Sequence, residues 1–599
     1  MKRSTYIWSL LVGCVAFATS CDLTENVQVK ADKSMIFGSK SGLELYSNSF
    51  YKALPTLKNG FMQDKMCDVG AVSNTDTFIK RGAYNTETAT SWSWGALKNV
   101  NYFIDGCNDP KYCTVEAETR DNYLGIARWF RAWFYYDKLT TYGEVPWFPN
   151  DIQSYQNDVM YKDRDSRDVI IRNLIADLDF AYEHIQATSS TGSATLTRWA
   201  AAALKSRVCL FEAAYRRYHN LTGLEITPEE LYREAAKAAK LVIDNSGCSL
   251  NTAAGKKGAY RDLFYSETPL TQEVILAVCA NEKSGIFGEQ NWWFNARSYG
   301  LCWSLVRSFV HTYLKQDGTP FTAAADYAVK SFAEEMEGRD LRLEQTVRGR
   351  NFLWDGKTAV ADIKNLSLTG YQVIKYTLDE SKYDGGAKNI NSIPLIRYAE
   401  VLLNYAEAKA ELGEFSDDIW NKTIKPLRER AGVDGKRPTS ADPYLQQYYG
   451  LSDSDLLEIR RERAIELVAE GMRFDDLRRW KCGSLMETLP WSGIHIPGLE
   501  QPVDVNGDGV NDYYFTEGEV ASAPAAYKNI AVRVNQDGVG LYAEANPVSG
   551  YDLVYKTGAG DRYWYPDGRQ YLYPIPAKVI RDYRNAGYTI SQNPEWDNE

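Results

Sequence analysis

Four oxygen-bearing side chains in the segment VDVNGDGVNDYY (503–514) have the spacing of a cation-binding loop. Asp504, Asn506 and Asp508 alternate along the chain, a glycine follows the third of them, and Asp512 comes soon after. Hard cations such as Ca²⁺ prefer clustered carboxylate and amide oxygens on a sharply turning backbone. Phe515 stands where an EF-hand would place its last glutamate. The segment therefore fits either a calcium site or a metal-free loop of capped turns.

A second group of carboxylates lies in RRERAIELVAEGMRFDDLRRW (460–480), where Glu462, Glu466 and Glu470 are four residues apart. Paired carboxylates can hydrolyse glycosides, but the general acid then needs a raised pKa. Arginines interleave with these glutamates and should keep them ionised, so we predict a structural salt-bridge lattice. HExxH and GxSxG motifs are absent from the sequence. We predict that the chain is not an enzyme and that it requires no cofactor.

Aromatic residues supply the third kind of candidate site, because the chain has 41 Tyr and 16 Trp. Flat rings with a polar edge suit stacking on sugar rings, and aromatics in polar loops have no obvious core to fill. The two best stretches are GEQNWWFNARSYG, with Trp292, Trp293, Tyr299 and the polar Asn291, Asn295 and Arg297, and RGAYNTETATSWSW, with Tyr84 and Trp92. Tyr563 and Trp564 are a weaker pair, and packing within a loop is the alternative for each ring.

The N-terminal segment MKRSTYIWSLLVGCVAFATSC has the layout of a bacterial secretory signal. Lys2 and Arg3 precede an apolar run that is too short to span a bilayer, and small residues close it before Cys21. A cysteine at this point resembles a lipobox, so we expect lipid on Cys21. The alternative is an ordinary signal followed by an incidental cysteine.

Composition narrows the remaining classes of function. The net charge is −11 and no basic block occurs, so nucleic acid is not an expected partner.

The spacing of Cys107 and Cys113 suggests a disulfide in an oxidising compartment. Cys209 and Cys279 lie in apolar stretches and are expected to be buried as small hydrophobic residues.

Most of the segments that would position these residues have apolar residues at helical spacing. It predicts helices within 45–57, 92–107, 120–148, 166–185, 197–218, 228–247, 394–414 and 456–484. Residues 271–282 are predicted to form a strand. Residues 288–304 are predicted to form an aromatic loop, and the tail from residue 490 is predicted to be rich in loops. We divide the chain into a signal (1–20), a tether (21–41), a helical repeat region (42–245), a loop-rich insertion with the ligand face (246–392) and a C-terminal region (393–599).

Several separated segments, in order, resemble the SusD/RagB family of outer-membrane nutrient-binding lipoproteins of the Bacteroidetes. The matching segments are ARWFRAWFYYDKLTTYGEVPWF (127–148), GRDLRLEQTV (338–347), PLIRYAEVLLNYAEAKAELG (394–413), RRERAIELVAEGMRFDDLRRW (460–480), LYPIP (572–576) and QNPEW (592–596). Together with the lipoprotein signal they span almost the whole chain.

The resemblance implies a mainly α fold of tetratricopeptide-like helical hairpins, with a loop-rich ligand-binding face and a few short strands. It also implies a lipid-anchored protein on the surface of the outer membrane. Such a protein binds oligosaccharides or polysaccharides and delivers them to a SusC-like TonB-dependent transporter. The alternatives are a peptide-binding RagB-type protein, an all-helical glycoside hydrolase and a purely structural lipoprotein.

Overall fold

The computed structural model describes residues 33–58, 62–187, 191–295, 302–556 and 562–597. The predicted lipidation site Cys21 and the candidate ligand residues Arg297 and Tyr299 lie outside these ranges. The described part of the chain is mostly helical, as predicted from the sequence. No described helix is long and apolar enough to span a bilayer.

The N-terminal part consists of helices that pack on one another in chain order. Their bounds are α1 Lys33–Phe37, α2 Lys40–Ser47, α3 Gly95–Asn108, α4 Ala117–Tyr142, α5 Asn157–Met160, α6 Arg167–His184, α7 Arg198–Tyr218 and α8 Pro228–Asn245. Helix α3 packs on α4, α4 on α6, α6 on α7 and α7 on α8. Successive antiparallel pairs of this kind form a tetratricopeptide-like stack.

Capping and small side chains explain why these helices begin and pack where they do. Thr227 and Glu230 form a capping box at the start of α8, and Ser166 caps α6 through the N–H of Val169. Helix α4 ends before Gly143, whose φ of +76° is a conformation that glycine adopts readily and other residues rarely adopt. The alanines of α7 and α8 are all buried, so the two helix axes can approach closely.

The C-terminal part adds shorter helices around the end of this stack. They are α9 Ala259–Tyr265, α10 Gln290–Asn295, α11 Arg307–Val310, α12 Phe332–Met336, α13 Arg342–Thr346, α14 Tyr398–Glu411, α15 Asp417–Lys422, α16 Ile424–Arg430, α17 Pro443–Tyr449, α18 Ser454–Glu466, α19 Arg473–Arg479, α20 Leu485–Thr488 and α21 Ala577–Asn585. Helix α14 packs on both α8 and α18, so it joins the N-terminal stack to the C-terminal helices.

The strands are short and form small sheets. They are β1 Gly70–Ala71, β2 Val274–Val278, β3 Ser304–Leu305, β4 Leu353–Trp354, β5 Lys357–Thr358, β6 Ile393–Arg397, β7 Ser492–Ile496, β8 Pro502–Val503, β9 Tyr513–Thr516, β10 Ala531–Arg533, β11 Leu541–Ala545 and β12 Tyr551–Tyr555. Strand β12 pairs antiparallel with β11 and β7, while β9 pairs antiparallel with β8 and parallel with β10. Strand β2, which the sequence predicts, pairs antiparallel with β6.

Two large hydrophobic clusters form most of the core. One contains the apolar faces of α3, α4 and α6–α8, together with C-terminal residues such as Ile575 and Tyr583. The other combines residues of the middle segment with the C-terminal sheets, for example Phe309 and Phe515. The C-terminal tail therefore returns to pack on the N-terminal helices.

The arginine–glutamate motif forms the predicted salt-bridge lattice inside the protein. Glu466 is fully buried and accepts hydrogen bonds from Arg342 (2.8 Å), Arg397 (2.6 Å) and Arg430. Burial alone would raise the pKa of Glu466, but Arg430, Arg397 and Arg342 hold it well below its usual range. A carboxylate kept ionised in this way cannot serve as a general acid, so the lattice is structural.

The structure corrects four local predictions. Residues 288–304 contain the helix α10 within the predicted loop, because its polar side chains are buried against distant segments, as in the hydrogen bond from Asn291 to Leu378. The helix predicted over 45–57 is α2 followed by a 3₁₀ segment that ends before Pro55. The helix predicted over 456–484 is broken between α18 and α19, where Ala469 and Gly471 have positive φ. Cys107 and Cys113 are both free thiols, so the predicted disulfide is not formed.

Candidate ligand-binding site

An open cavity of about 940 Å³ lies where the start of α3, the segment after α4 and the last helix α21 meet. Five aromatic side chains line it: Trp92, Trp94, Phe148, Tyr161 and Tyr583. Its volume is at the upper end of the range for small-molecule sites, and mostly apolar walls with a few polar groups are typical of such sites. We therefore take this cavity as the candidate ligand-binding site and call it the Trp92 cavity.

The segment before α3 is held by short-range turns and by one long-range backbone bond. The side-chain oxygen of Asn85 accepts hydrogen bonds from the N–H groups of Glu87 and Thr88, both at 3.0 Å. The N–H of Ala577, at the start of α21, donates to the carbonyl of Thr86 at 2.9 Å. These bonds fix the chain just ahead of Trp92, and they place α21 beside it.

The two tryptophans are braced from behind by aromatic side chains of the core. Trp92 contacts Tyr142 with ring centroids 4.9 Å apart, and Trp94 contacts Phe148 at 5.2 Å. Trp92 and Trp94 also meet edge to face at 5.3 Å. Both tryptophans stay half-buried, so part of each ring faces the cavity while the rest is fixed by packing.

Helix α3 also positions the loop that follows α4. The amide of Asn101 donates to the carbonyls of Phe148 (2.8 Å) and Asn150 (3.0 Å). The carboxylate of Asp105 accepts hydrogen bonds from the Asn150 side chain and the Asp151 N–H, both at 2.8 Å. The loop after α4 is therefore tied to α3, and the Phe148 ring is fixed against the cavity.

Tyr161 and Tyr583 complete the aromatic lining from two distant parts of the chain. Their rings meet edge to face with centroids 5.1 Å apart, and Tyr161 stacks on Tyr588 at 5.4 Å. Burial, with the charges of Asp163 and Tyr161, raises the pKa of Tyr583 to about 12. The Tyr583 hydroxyl therefore stays protonated and can donate, as it does to the carbonyl of Lys162 at 3.3 Å.

The rim of the cavity carries charged groups that are largely paired with one another. Lys578 pairs with Asp582 and Arg581 pairs with Glu87, each at 2.5 Å. Lys98 lines the same rim and makes no ion pair with any described residue. Apolar rings with a polar rim suit a ligand that has flat apolar faces and hydrogen-bonding edges, which is the chemistry of a sugar ring.

The sequence-predicted aromatics separate into different environments. Trp92 lines the cavity, but Tyr84 packs edge to face against Phe78 at 5.1 Å and Tyr573 at 5.7 Å. Trp564 is buried against Tyr571, so the third predicted pair is mainly packing. Tyr84 therefore contacts other rings of the protein, whereas Trp92 lines the cavity. Ligand binding by either ring stays a prediction.

The second predicted platform belongs to α10 and does not line the Trp92 cavity. The Asn291 side chain is fully buried and donates to the carbonyl of Leu378 at 2.7 Å and to Asp384 at 3.2 Å. Asn295, also buried, accepts a hydrogen bond from Gln372 at 3.1 Å. Both amides are thus engaged within the protein. Trp292 and Trp293 are half-buried, with ring centroids 5.5 Å apart.

Sequence reasoning missed Trp94, Phe148, Tyr161 and Tyr583. Trp94 is two residues beyond Trp92 and lies in the same polar WSW stretch, which was a usable signal. Phe148 and Tyr161 looked like the end of a core helix and its linker. Tyr583 lies in α21, within the tail that the sequence predicts to be loop-rich.

The 504–512 loop is built from turns capped by its own side chains. Asp504 accepts the N–H groups of Gly507 (2.7 Å) and Gly509 (2.8 Å), and Asp512 accepts the N–H of Val505 at 2.8 Å. Burial, and then the negative charge of the neighbouring aspartates, raises the pKa of Asp512. Across the described residues, no group of three or more His, Cys, Asp or Glu side chains is placed to hold a metal. Calcium binding here stays a prediction.

Comparisons with known proteins agree on one family. The model of the SusD family matches residues 272–596, which is more than half of the chain. A SusD-like protein of Formosa agariphila, P38, is 25% identical over 372 residues. That match covers 60% of this chain and 66% of the relative, which is just under two thirds of its length.

Solved structures from the same group share the fold over nearly the whole chain. A SusD-like protein from Bacteroides fragilis has a TM-score of 0.65 at 21% identity and covers 94% of this chain and 98% of its own. A SusD-like carbohydrate-binding protein from the same species has a TM-score of 0.66 at 19% identity, with 92% and 99% covered. A SusD homologue from Bacteroides thetaiotaomicron has a TM-score of 0.60 at 16% identity, with 95% and 100% covered. The chain belongs to the SusD family.

Proposed function

We propose that this chain is a cell-surface lipoprotein that binds oligosaccharides in the Trp92 cavity and delivers them to a SusC-like TonB-dependent transporter. The observation that carries the proposal is the aromatic lining of that cavity, since indole and phenol rings stack on the apolar faces of pyranoses. A family relative described as carbohydrate-binding gives independent support. Binding without catalysis is sufficient for this role.

The proposed ligand is longer than one sugar unit. A neighbouring cavity of about 680 Å³ is lined by Trp133, Phe134 and Tyr136 of α4 and by Asp137 and Asp475. The walls of the two cavities touch, because Trp94 of the first contacts Phe134 of the second with ring centroids 5.5 Å apart. An oligomer that occupies both would gain stacking in each cavity, whereas a single sugar would use only one.

Weak and reversible binding suits a protein that passes its ligand onward. Much of the polar rim is already satisfied by internal ion pairs, so we expect few strong charge-assisted bonds to a neutral glycan. Stacking then dominates, and Trp92→Ala should weaken binding by about 1–2 kcal/mol, or roughly 5- to 30-fold in Kd.

The test measures glycan binding by isothermal titration calorimetry. Wild-type protein is screened against α-glucan, β-glucan, xylan, mannan and fructan oligosaccharides, with a tryptic peptide mixture as the comparison ligand. The best ligand is then titrated into Trp92→Ala and into Trp354→Ala, which removes a half-buried ring outside both cavities. Loss of affinity in the first variant alone supports the proposal. Equal binding by both variants, or saturable binding of peptides only, refutes it.

The proposed anchor and partner need separate tests. Lipid on Cys21 would place the protein at the outer membrane, so Cys21→Ser should move it out of the membrane fraction and abolish labelling by a palmitate analogue. Retention of lipid in this variant would refute the anchor. Co-purification of a TonB-dependent transporter with the wild-type protein from detergent-solubilised membranes tests the partnership.

A further inference from the structure

A third cavity, of about 370 Å³, lies among the C-terminal sheets and shares no lining residue with the Trp92 cavity. It is bounded by the start of α12, the end of β7, the segment 497–505 and the turn at 549–550. One side chain in its wall, His495, is 6% exposed and plays no part in the function proposed above. We call this space the His495 cavity.

A chain of hydrogen-bonded charged groups orients the imidazole of His495. Its Nδ1 lies 3.0 Å from the carboxylate of Asp552. Asp552 also accepts hydrogen bonds from Arg307 (2.5 Å) and Asn546 (2.8 Å). A carboxylate in such a cluster only accepts, so Nδ1 carries the proton. In the neutral ring Nε2 is then a hydrogen-bond acceptor with a fixed direction.

The other ring nitrogen is left for a ligand. Among the described residues, Nε2 of His495 has no hydrogen-bond partner. Gly550 lies next to it with φ of +63°, and a methyl group at Gly550 would stand 2.8 Å from both Nε2 and Cε1. The same methyl group would stand 2.5 Å from the carbonyl oxygen of Ile496, so only glycine fits beside the imidazole at this turn.

The remaining lining defines the chemistry of a ligand. Glu334 uses one carboxylate oxygen to cap α12 through Ser331, and the other has no hydrogen bond among the described residues. Asp504 adds a second carboxylate, and the described lining contains no lysine or arginine. Phe332 and Ile494 supply an apolar wall. Hydrogen-bond acceptors and negative charge, combined with apolar side chains, favour an uncharged ligand rich in hydroxyl donors.

We propose that the His495 cavity binds a single uncharged pyranose unit, with Nε2 of His495 accepting a hydroxyl and an apolar sugar face against Phe332. The cavity is large enough for one ring and too small for an oligomer. The site binds and does not catalyse, because no described hydroxyl is hydrogen-bonded to Nε2 as a nucleophile would be. Uronic acids are disfavoured, since their carboxylate would face Glu334 and Asp504.

The test uses saturation-transfer difference NMR on Trp92→Ala protein, in which the first cavity is weakened. The probes are the methyl pyranosides of glucose, galactose and mannose, each compared with its uronate. We expect at least one neutral pyranoside to titrate with a millimolar Kd and its uronate to bind about tenfold more weakly. Adding His495→Ala should weaken the pyranoside about tenfold.

A second variant keeps the test valid if His495→Ala disturbs folding. Ser549 is exposed at the edge of the cavity, so Ser549→Trp fills the space and leaves the His495–Asp552 contact in place. It should weaken the pyranoside to the same degree. The proposal is overturned if no pyranoside titrates in Trp92→Ala protein, or if binding is unchanged by both His495→Ala and Ser549→Trp. Either result leaves the dependence of oligosaccharide binding on Trp92 untouched, so the two proposals fail separately.

Discussion

Replacing Glu466 with glutamine tests whether the arginine–glutamate lattice is structural. Glutamine has nearly the same shape, so Glu466→Gln removes the charge without creating a cavity. In the wild type, one carboxylate oxygen of Glu466 accepts from Arg397 and Arg430, and the other accepts from Arg342. A glutamine oxygen can replace only one of these acceptors. Its NH₂ group would then face a guanidinium, donor against donor.

The expected loss of stability follows from this geometry. Removing one partner of a buried ion pair costs about 3–5 kcal/mol. Each of the three guanidiniums keeps another carboxylate, for example Asp340 beside Arg342 at 2.7 Å and Glu470 beside Arg397 at 2.7 Å. We therefore expect the lower end of that range, about 3 kcal/mol. The matched control is Glu229→Gln, which breaks a half-exposed pair with Arg217 and should cost less than about 1 kcal/mol.

The assay is urea unfolding followed by tryptophan fluorescence at pH 7, with glycan binding measured on the folded variants. The pKa of Glu466 is lowered in the folded state, so its carboxylate stabilises the fold fully at pH values above its ordinary pKa of 4.5. This stabilisation is lost progressively as the pH falls below that value. The difference in free energy of unfolding between wild type and Glu466→Gln should therefore become smaller at acid pH. The structural role is refuted if Glu466→Gln is no less stable than Glu229→Gln, or if it loses glycan binding at unchanged stability.

Two further predictions concern individual carboxylates. Burial raises the pKa of Asp64 from 3.8 to about 6. Above pH 6 the ionised carboxylate therefore lowers the free energy of unfolding by about 3 kcal/mol. This destabilisation disappears as the pH falls towards 4, because Asp64 is then protonated in the folded state. Asp64→Asn should therefore raise the urea midpoint at pH 7.5 but not at pH 4, and an equal shift at both values would contradict this. If the 504–512 loop holds calcium, saturation at 100 times Kd should stabilise the protein by about 2.7 kcal/mol, and Asp508→Ala should remove the effect. A melting temperature that responds to neither calcium nor chelator leaves only the capped turns.

Local patterns in the sequence were sufficient to predict the helical stack. The apolar spacing of α3 and α4 and the alanines of α7 and α8 identify buried faces directly, because helix periodicity depends on neighbours three or four residues away. The alternation of Arg and Glu likewise predicted the lattice. The break between α18 and α19 was not predictable in this way. Glu470 lies beyond the end of α18 and still reaches Arg397, so the carboxylates converge without sharing one helix.

The candidate site depends on contacts between distant segments, and this limited its prediction. Trp92 could be identified because it is an aromatic residue in a polar stretch. Tyr583 could not, since more than 400 residues separate it from Tyr161, which it contacts. For the side chains of α10, the prediction from the sequence failed in the opposite direction. Asn291 looks available in a polar, aromatic stretch, but it is consumed by hydrogen bonds to residues 378–389 that the local sequence does not reveal.

The C-terminal QNPEW segment explains how the last wall of the cavity is held. Arg164 donates to the side chain of Asn593 at 2.6 Å and to the carbonyl of Gln592 at 2.9 Å. The amide of Asn593 donates in turn to the carbonyls of Tyr142 (3.2 Å) and Tyr573 (2.7 Å). These bonds pin the chain on both sides of α21 to the end of α4. If the cavity binds a ligand as proposed, the motif contributes indirectly, because it holds the chain on both sides of α21, which carries Tyr583, and does not itself line the cavity.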